Sequence, residues 1–212
     1  MTSPPQPEPR YYFAYGSNLH MEQMKRRCPK SRYIGRAQLL DYRWQINDRG
    51  FANIVAQDGC RVDGLVYEID AADEAKLDVN EGVAKKAYQK RHLPVLLHRA
   101  HAPLYRRPVS WIVAKGGPLA VSRSPSFGPT IGPSPPRQHW ESDVLVYISF
   151  DYVQDSAPRD EYVQRLNLGI ADARVLGVDD EYIRHSIRPF IPIEAPEPLS
   201  TSPPPDPGAH QS

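Results

Sequence analysis

The chain reads as an α+β fold, a mixed, barrel-like β-sheet with a few flanking helices. Three features of the 212-residue sequence carry that reading. Short apolar or β-branched segments follow one another directly, with turn residues between them, instead of alternating with helices as in a doubly wound sheet. Segments with helical character are few. No internal repeat suggests a solenoid or a propeller.

Tyr11–Tyr15 is a short buried strand closed by Gly16-Ser17-Asn18, and His20–Arg27 is a helix that stops before Pro29. Ala37–Ile46, Ala52–Ala56 and Arg61–Ile69 are strands, punctuated by Asp48-Arg49-Gly50 and Asp58-Gly59. Asp70–Val79 is a short helix with Asp70 as N-cap and Asp73 and Glu74 in its first turn. Tyr88–Leu97 and Val144–Phe150 add strands. Asp160–Val175 and Asp179–Ile187 add helices, with Gly177 as the stop between them.

Prolines set the expected boundaries. Four of 23 fall in residues 1–10, six between Pro118 and Pro136, and seven from Pro192 to Pro207. Proline fixes φ and lacks a donor, so these stretches resist helix and sheet. The expected organisation is a disordered tail over 1–10, one domain over 11–194 with a basic Pro/Gly/Ser-rich insertion at 99–141, and a disordered tail over 195–212. Ser122–Ser126 carries a serine/proline pattern of the kind that phosphorylation uses.

Net charge is +1, but its distribution is uneven. Gly82–Trp140 holds no Asp or Glu and ten Lys or Arg, leaving 16 basic and 25 acidic residues elsewhere. Such a stretch is either a solvated face or a surface that steers anions. No apolar run is long enough to span a bilayer, and residues 1–10 lack the apolar core of a secretory signal. Cys28 and Cys60 are too few for a disulfide scaffold, and reduced thiols in the cytoplasm are the plain reading. His92, His98 and His101 lie in or beside the basic stretch without nearby carboxylates, so no metal is expected.

Two segments carry chemistry. In Tyr15-Gly16-Ser17-Asn18-Leu19, a strand runs through a glycine turn into a helix, a junction where backbone N–H groups form an anion site and Ser17 and Asn18 add side-chain donors. The same pattern also makes ordinary turns. In Leu77-Asp78-Val79-Asn80-Glu81-Gly82-Val83, Glu81 stands between a helix end and a glycine, flanked by Val79 and Val83. Partial desolvation there would raise its pKa toward the range useful for proton transfer; a solvated helix-end carboxylate is the other reading.

Taken together and in order, these segments resemble the γ-glutamylcyclotransferase family. Tyr15–Leu19 is followed by Gly35-Arg36-Ala37-Gln38-Leu39, Arg49-Gly50-Phe51-Ala52-Asn53-Ile54 and Val62-Asp63-Gly64-Leu65-Val66-Tyr67. Leu77-Asp78-x-x-Glu81-Gly82-Val83 and Tyr88 come next, then Val146-Tyr147, Ser156-Ala157-Pro158 with Tyr162, and Gly169 with Glu181-Tyr182. The likeness covers about 11–98 and 143–191. Lys86 departs from it, standing where the family commonly has glycine.

The resemblance implies cyclisation of an L-γ-glutamyl group to 5-oxoproline with release of the attached amine. Glu81 is then the general base and acid, and Tyr15, Gly16, Ser17, Asn18 and Leu19 cradle the substrate. Tyr147 matches a family site tyrosine, with a core tyrosine as the alternative. The implied partner is a small γ-glutamyl molecule, with no cofactor, no membrane and no nucleic acid, and a homodimer is compatible with these features. The form of the loop favours γ-glutamyl amino acids. Residues 99–141 are then expected to be a mobile basic flap that attracts anionic substrate. Alternatives are a tailoring enzyme that removes γ-glutamyl groups, or a silent binding module using segment 82–140.

Overall fold

One long antiparallel hairpin dominates the molecule. The structure, a computed structural model, describes residues 10–124 and 138–193. β2 (Arg32–Ile46) and β3 (Ala52–Ile69) pair from Ile46 opposite Ala52 to Arg32 opposite Glu68. The Asp58-Gly59 dipeptide, expected to separate two strands, instead lies inside a single 18-residue strand. A register shift between Leu40 and Tyr42 absorbs it. Gly59 takes φ +76° and Asp41 φ +61°, and the Asp41 carboxylate accepts the Gly59 N–H at 3.0 Å. The turn residues thus make a bulge that bends the pair without ending it.

Three more strands close this hairpin into a five-stranded barrel. β1 (Arg10–Ala14) pairs antiparallel with β3 and parallel with β6 (Gln138–Ile148). β6 pairs antiparallel with β4 (Gln89–Arg99), and β4 pairs antiparallel with β2. A two-residue β5 (Arg107–Pro108) extends β2 past the end of β4. The parallel β1–β6 contact makes the sheet mixed, as expected. Gly64 permits close strand approach, since a Cβ there would lie 2.3 Å from the Ala14 carbonyl oxygen.

The helices cover the barrel. A 3-10 turn (Ser17–Leu19) leads into α1 (Met21–Arg27). α2 (Ala71–Asn80) starts at Asp70, whose carboxylate accepts the Asp73 N–H at 2.8 Å, the expected cap. α5 (Asp160–Val175) buries Tyr162, Val163, Leu166, Ile170 and Ala173 along one stripe. Its Gly169 brings it down onto the 3-10 turn, where a Cβ would meet Leu19 at 3.0 Å. After Gly177 (φ +88°), α6 (Asp180–Tyr182) continues as a π-helix over Ile183–Ile187. Among the described residues no helix is long and apolar enough to cross a membrane.

Residues 99–141 differ from the expected insertion. Beyond β4 and β5 they form α3 (Val109–Ala114) and α4 (Gly117–Arg123), and β6 begins at Gln138. Val109 and Ile112 are fully buried and Val121 nearly so. α3 packs on α1 and α4 on α5, so this part of the segment is core. One of its charges also finds a partner outside it: Arg106 bonds Glu68. Residues 125–137 and the expected tails, except Arg10 in β1, lie outside the described residues.

Candidate active site

The Tyr15–Leu19 loop is held from four sides. Its first residue is buried, its carbonyl accepting from Trp44 Nε1 at 2.9 Å and its hydroxyl donating to the Tyr147 carbonyl. At Gly16, space is what demands glycine. A Cβ would lie 2.9 Å from Tyr162 Oη and 3.2 Å from Ala52 Cβ. Gln23 Nε2 donates to Ser17 Oγ at 2.7 Å and to Asn18 Oδ1 at 3.0 Å. Asn18 Nδ2 donates to Tyr12 Oη at 2.8 Å, and Tyr67 donates to the Asn18 carbonyl at 3.2 Å.

One N–H of the Asn18 amide, expected as a substrate donor, is therefore spent on Tyr12, and its oxygen on Gln23 and Arg27. Leu19, expected in the cradle, points elsewhere. It is buried against Gly169, its N–H closes the turn onto the Gly16 carbonyl at 2.9 Å, and it does not line the cavity.

Facing the loop is a cavity of about 720 Å³ that Glu81 shares with Tyr15, Gly16, Ser17, Asn18 and Tyr147. Glu81 caps the C-terminus of α2, its N–H bonded to the Leu77 carbonyl at 2.8 Å, and Gly82 turns the chain away at φ +67°. Its side chain is only 18 % exposed. Burial raises its pKa above the ordinary glutamate value, against the lowering pull of Arg27 and, more weakly, Arg165 and Arg49. A raised pKa brings the carboxylate closer to the range in which one group can both take and return protons.

Tyr147, on β6, lines the same cavity. Its ring meets Tyr12 edge-on at 5.9 Å, and its hydroxyl donates to Asp78 Oδ1 at 2.7 Å. Burial, then Asp78, pushes the phenol well above its usual pKa. Asp78 is held in turn by Lys90 at 2.9 Å. With its proton committed, the Tyr147 oxygen keeps lone pairs to offer to a donor.

Several lining residues escaped the sequence reading. Arg27, from the last turn of α1, bridges Asn18 and Glu81. Tyr162, from α5, stands over Gly16; burial pushes it up to about 12, against the lowering effect of hydrogen bonding with the Ala52 and Ser17 backbone. Arg49, Phe51, Asp78 and Arg165 also line the cavity. Arg49, Phe51 and Tyr162 stood inside family-like segments, but spacing gave no sign that they converge.

The remaining candidates sit elsewhere. No described residue of 99–141 lines the cavity, where a basic flap had been expected. Lys85, not Lys86, contributes to the lining; Lys86 takes φ +55°, a conformation that glycine adopts at less cost. Cys28 is buried away from the cavity, its thiol pushed up to about 12 by burial. His92 pairs with Asp143 at 2.6 Å, and among the described residues no three His, Cys, Asp or Glu side chains gather to hold a metal.

Residues 12–117 match the family model described as gamma-glutamyl cyclotransferase, AIG2-like. Comparison with curated proteins gave no match. Among solved structures, one described as gamma-glutamyl cyclotransferase is 20% identical, with a TM-score of 0.57 over 84% of this chain and 85% of that one. An uncharacterized protein from Homo sapiens gives the same values. YkqA from Bacillus subtilis is 19% identical with a TM-score of 0.55, covering 84% of this chain and 52% of its own. At such identities these likenesses establish the fold.

Proposed function

The chain belongs to the gamma-glutamyl cyclotransferase, AIG2-like family, and from that membership we propose that it converts an L-γ-glutamyl amino acid or peptide to 5-oxoproline and the freed amine. One observation carries the reading. A largely buried carboxylate with a raised pKa, Glu81, shares a bounded cavity with the Gly16–Asn18 backbone, and Arg27 ties the two together.

The chemistry follows from that arrangement. The substrate's α-amine loses a proton to Glu81 and attacks its own γ-carbonyl carbon, forming the ring C–N bond. Glu81 then gives that proton to the departing nitrogen as the original amide C–N bond breaks. One carboxylate serves both transfers, which suits a carboxylate whose pKa burial has raised. Backbone N–H groups of the loop hold the α-carboxylate or the developing oxyanion. Tyr147, with its hydroxyl proton on Asp78, accepts from the α-amine and orients it. Nucleophile and electrophile belong to one molecule, so the protein's main contribution is to hold the chain curled for closure. No cofactor enters this scheme.

The test is 5-oxoproline release by the purified protein from γ-glutamyl-alanine, glutathione and ε-(γ-glutamyl)-lysine. Release from γ-glutamyl-alanine is expected. No release from any of the three contradicts the reading.

A further inference from the structure

The charges around the cavity do not cancel. Its lining includes Arg27, Arg49, Lys85 and Arg165 against Asp78 and Glu81. Most of these are matched: Glu81 with Arg27, Asp78 with Lys90 from outside, and Arg165 with Glu161 at 3.2 Å. Arg49 and Lys85 remain. Lys85 is exposed on a three-residue turn. Arg49 is half-buried, and no carboxylate among the described residues forms an ion pair with it.

Arg49 is also held in place. It sits at the tip of the β2–β3 hairpin, where Asn47 Oδ1 accepts its N–H at 3.1 Å and that of Phe51 at 3.3 Å. Arg159 Nε donates to the Arg49 carbonyl at 2.9 Å. The Arg49 guanidinium lies 5.3 Å from the centre of the Tyr152 ring and 5.8 Å from that of Phe51, and both rings line the cavity. Aromatic faces of this kind fix a guanidinium while leaving its donor fork open to a planar anion.

We propose that Arg49 receives the carboxylate of the departing amino acid or peptide, so that the cavity selects γ-glutamyl compounds whose leaving group carries a free α-carboxylate. The inference rests on the cyclotransferase reading above. In a γ-glutamyl amino acid the leaving nitrogen and the carboxylate carbon are two bonds apart, about 2.5 Å. The cation that binds this carboxylate must therefore stand close to the group that protonates the nitrogen. Arg49 and Glu81 line the same cavity, which lets one substrate span both. A γ-glutamylamine has no such carboxylate and would leave the guanidinium unpaired in a partly desolvated wall.

The test compares γ-glutamyl-L-alanine with γ-glutamyl-L-alaninamide, which differ only in that carboxylate. Wild-type protein should favour the acid in kcat/KM by about ten- to a hundredfold, the range of a charge-assisted hydrogen bond. In Arg49→Gln, with an unchanged melting temperature, the ratio should collapse toward unity, chiefly through KM for the acid. Arg49→Lys should restore part of it, keeping the charge without the fork. Equal turnover of both compounds by wild type, or a collapse in Lys85→Gln but not in Arg49→Gln, overturns the role of Arg49 and leaves the cyclotransferase reading standing. Turnover of neither compound overturns both.

Discussion

Arg27 stands 3.3 Å from Glu81 and from the same nitrogen donates to Asn18 at 2.9 Å. A single guanidinium from α1 thus couples the loop to the carboxylate. It also opposes the burial that raises the Glu81 pKa. Removing it leaves burial less opposed, so the carboxylate ionises only at higher pH. For Arg27→Gln the acid limb of the pH–kcat/KM profile should move to higher pH, and KM should rise as Asn18 loses a donor. In the wild type that limb should already lie above the ordinary glutamate range. An acid limb that stays in place on losing Arg27 would mean that another group controls it.

Gly16 and Tyr162 should behave as a coupled pair. A methyl group at 16 meets the Tyr162 hydroxyl oxygen at 2.9 Å, so Gly16→Ala should lower kcat/KM. Removing that oxygen with Tyr162→Phe opens the space, and the double variant should do better than the product of the two single effects. Strict multiplicativity would show that the glycine is needed for another reason. Ser17→Ala should cost less, about 1 kcal/mol or below, because Gln23 keeps its second bond to Asn18.

The segment after β4 should fail a deletion test that a flap would pass. Ile112 is fully buried where α3 packs on α1. Ile112→Ala should cost about 2–5 kcal/mol of unfolding free energy in denaturant titration, the range for a large aliphatic truncated in a core. Replacing 109–123 by a Gly/Ser linker should abolish cooperative unfolding. Unchanged stability in either variant would return the segment to the surface.

Local signals were the readable part of the sequence. Asp70 announces α2 because a cap acts within three residues, and the stripe through Tyr162, Leu166 and Ala173 marks α5 within its own turns. Glu81 and the Tyr15–Leu19 loop could be paired only through their order within a family pattern. Long-range terms defeated the rest. Asp58-Gly59 looks like a break, yet Asp41 on the partner strand accepts its amide and turns it into a bulge. Prolines and unopposed charge disguised 99–124, whose burial depends on α1 and α5 and whose Arg106 is answered by Glu68. Arg27, Arg49 and Arg165 look like surface arginines until three separate elements bring them to one cavity.

The account turns on Glu81 as the group that moves the proton. Glu81→Gln keeps the size of the side chain and its bond to Arg27 while removing the base. Single-turnover and steady-state assays of 5-oxoproline release, beside direct titration with a γ-glutamyl ligand, separate chemistry from binding. The account predicts that kcat falls by about 10²–10⁴-fold, the usual contribution of a general acid–base group, with ligand affinity within a few-fold of wild type. A Glu81→Gln protein that keeps about a tenth of wild-type kcat would contradict it, since that loss is too small for the group that carries both proton transfers.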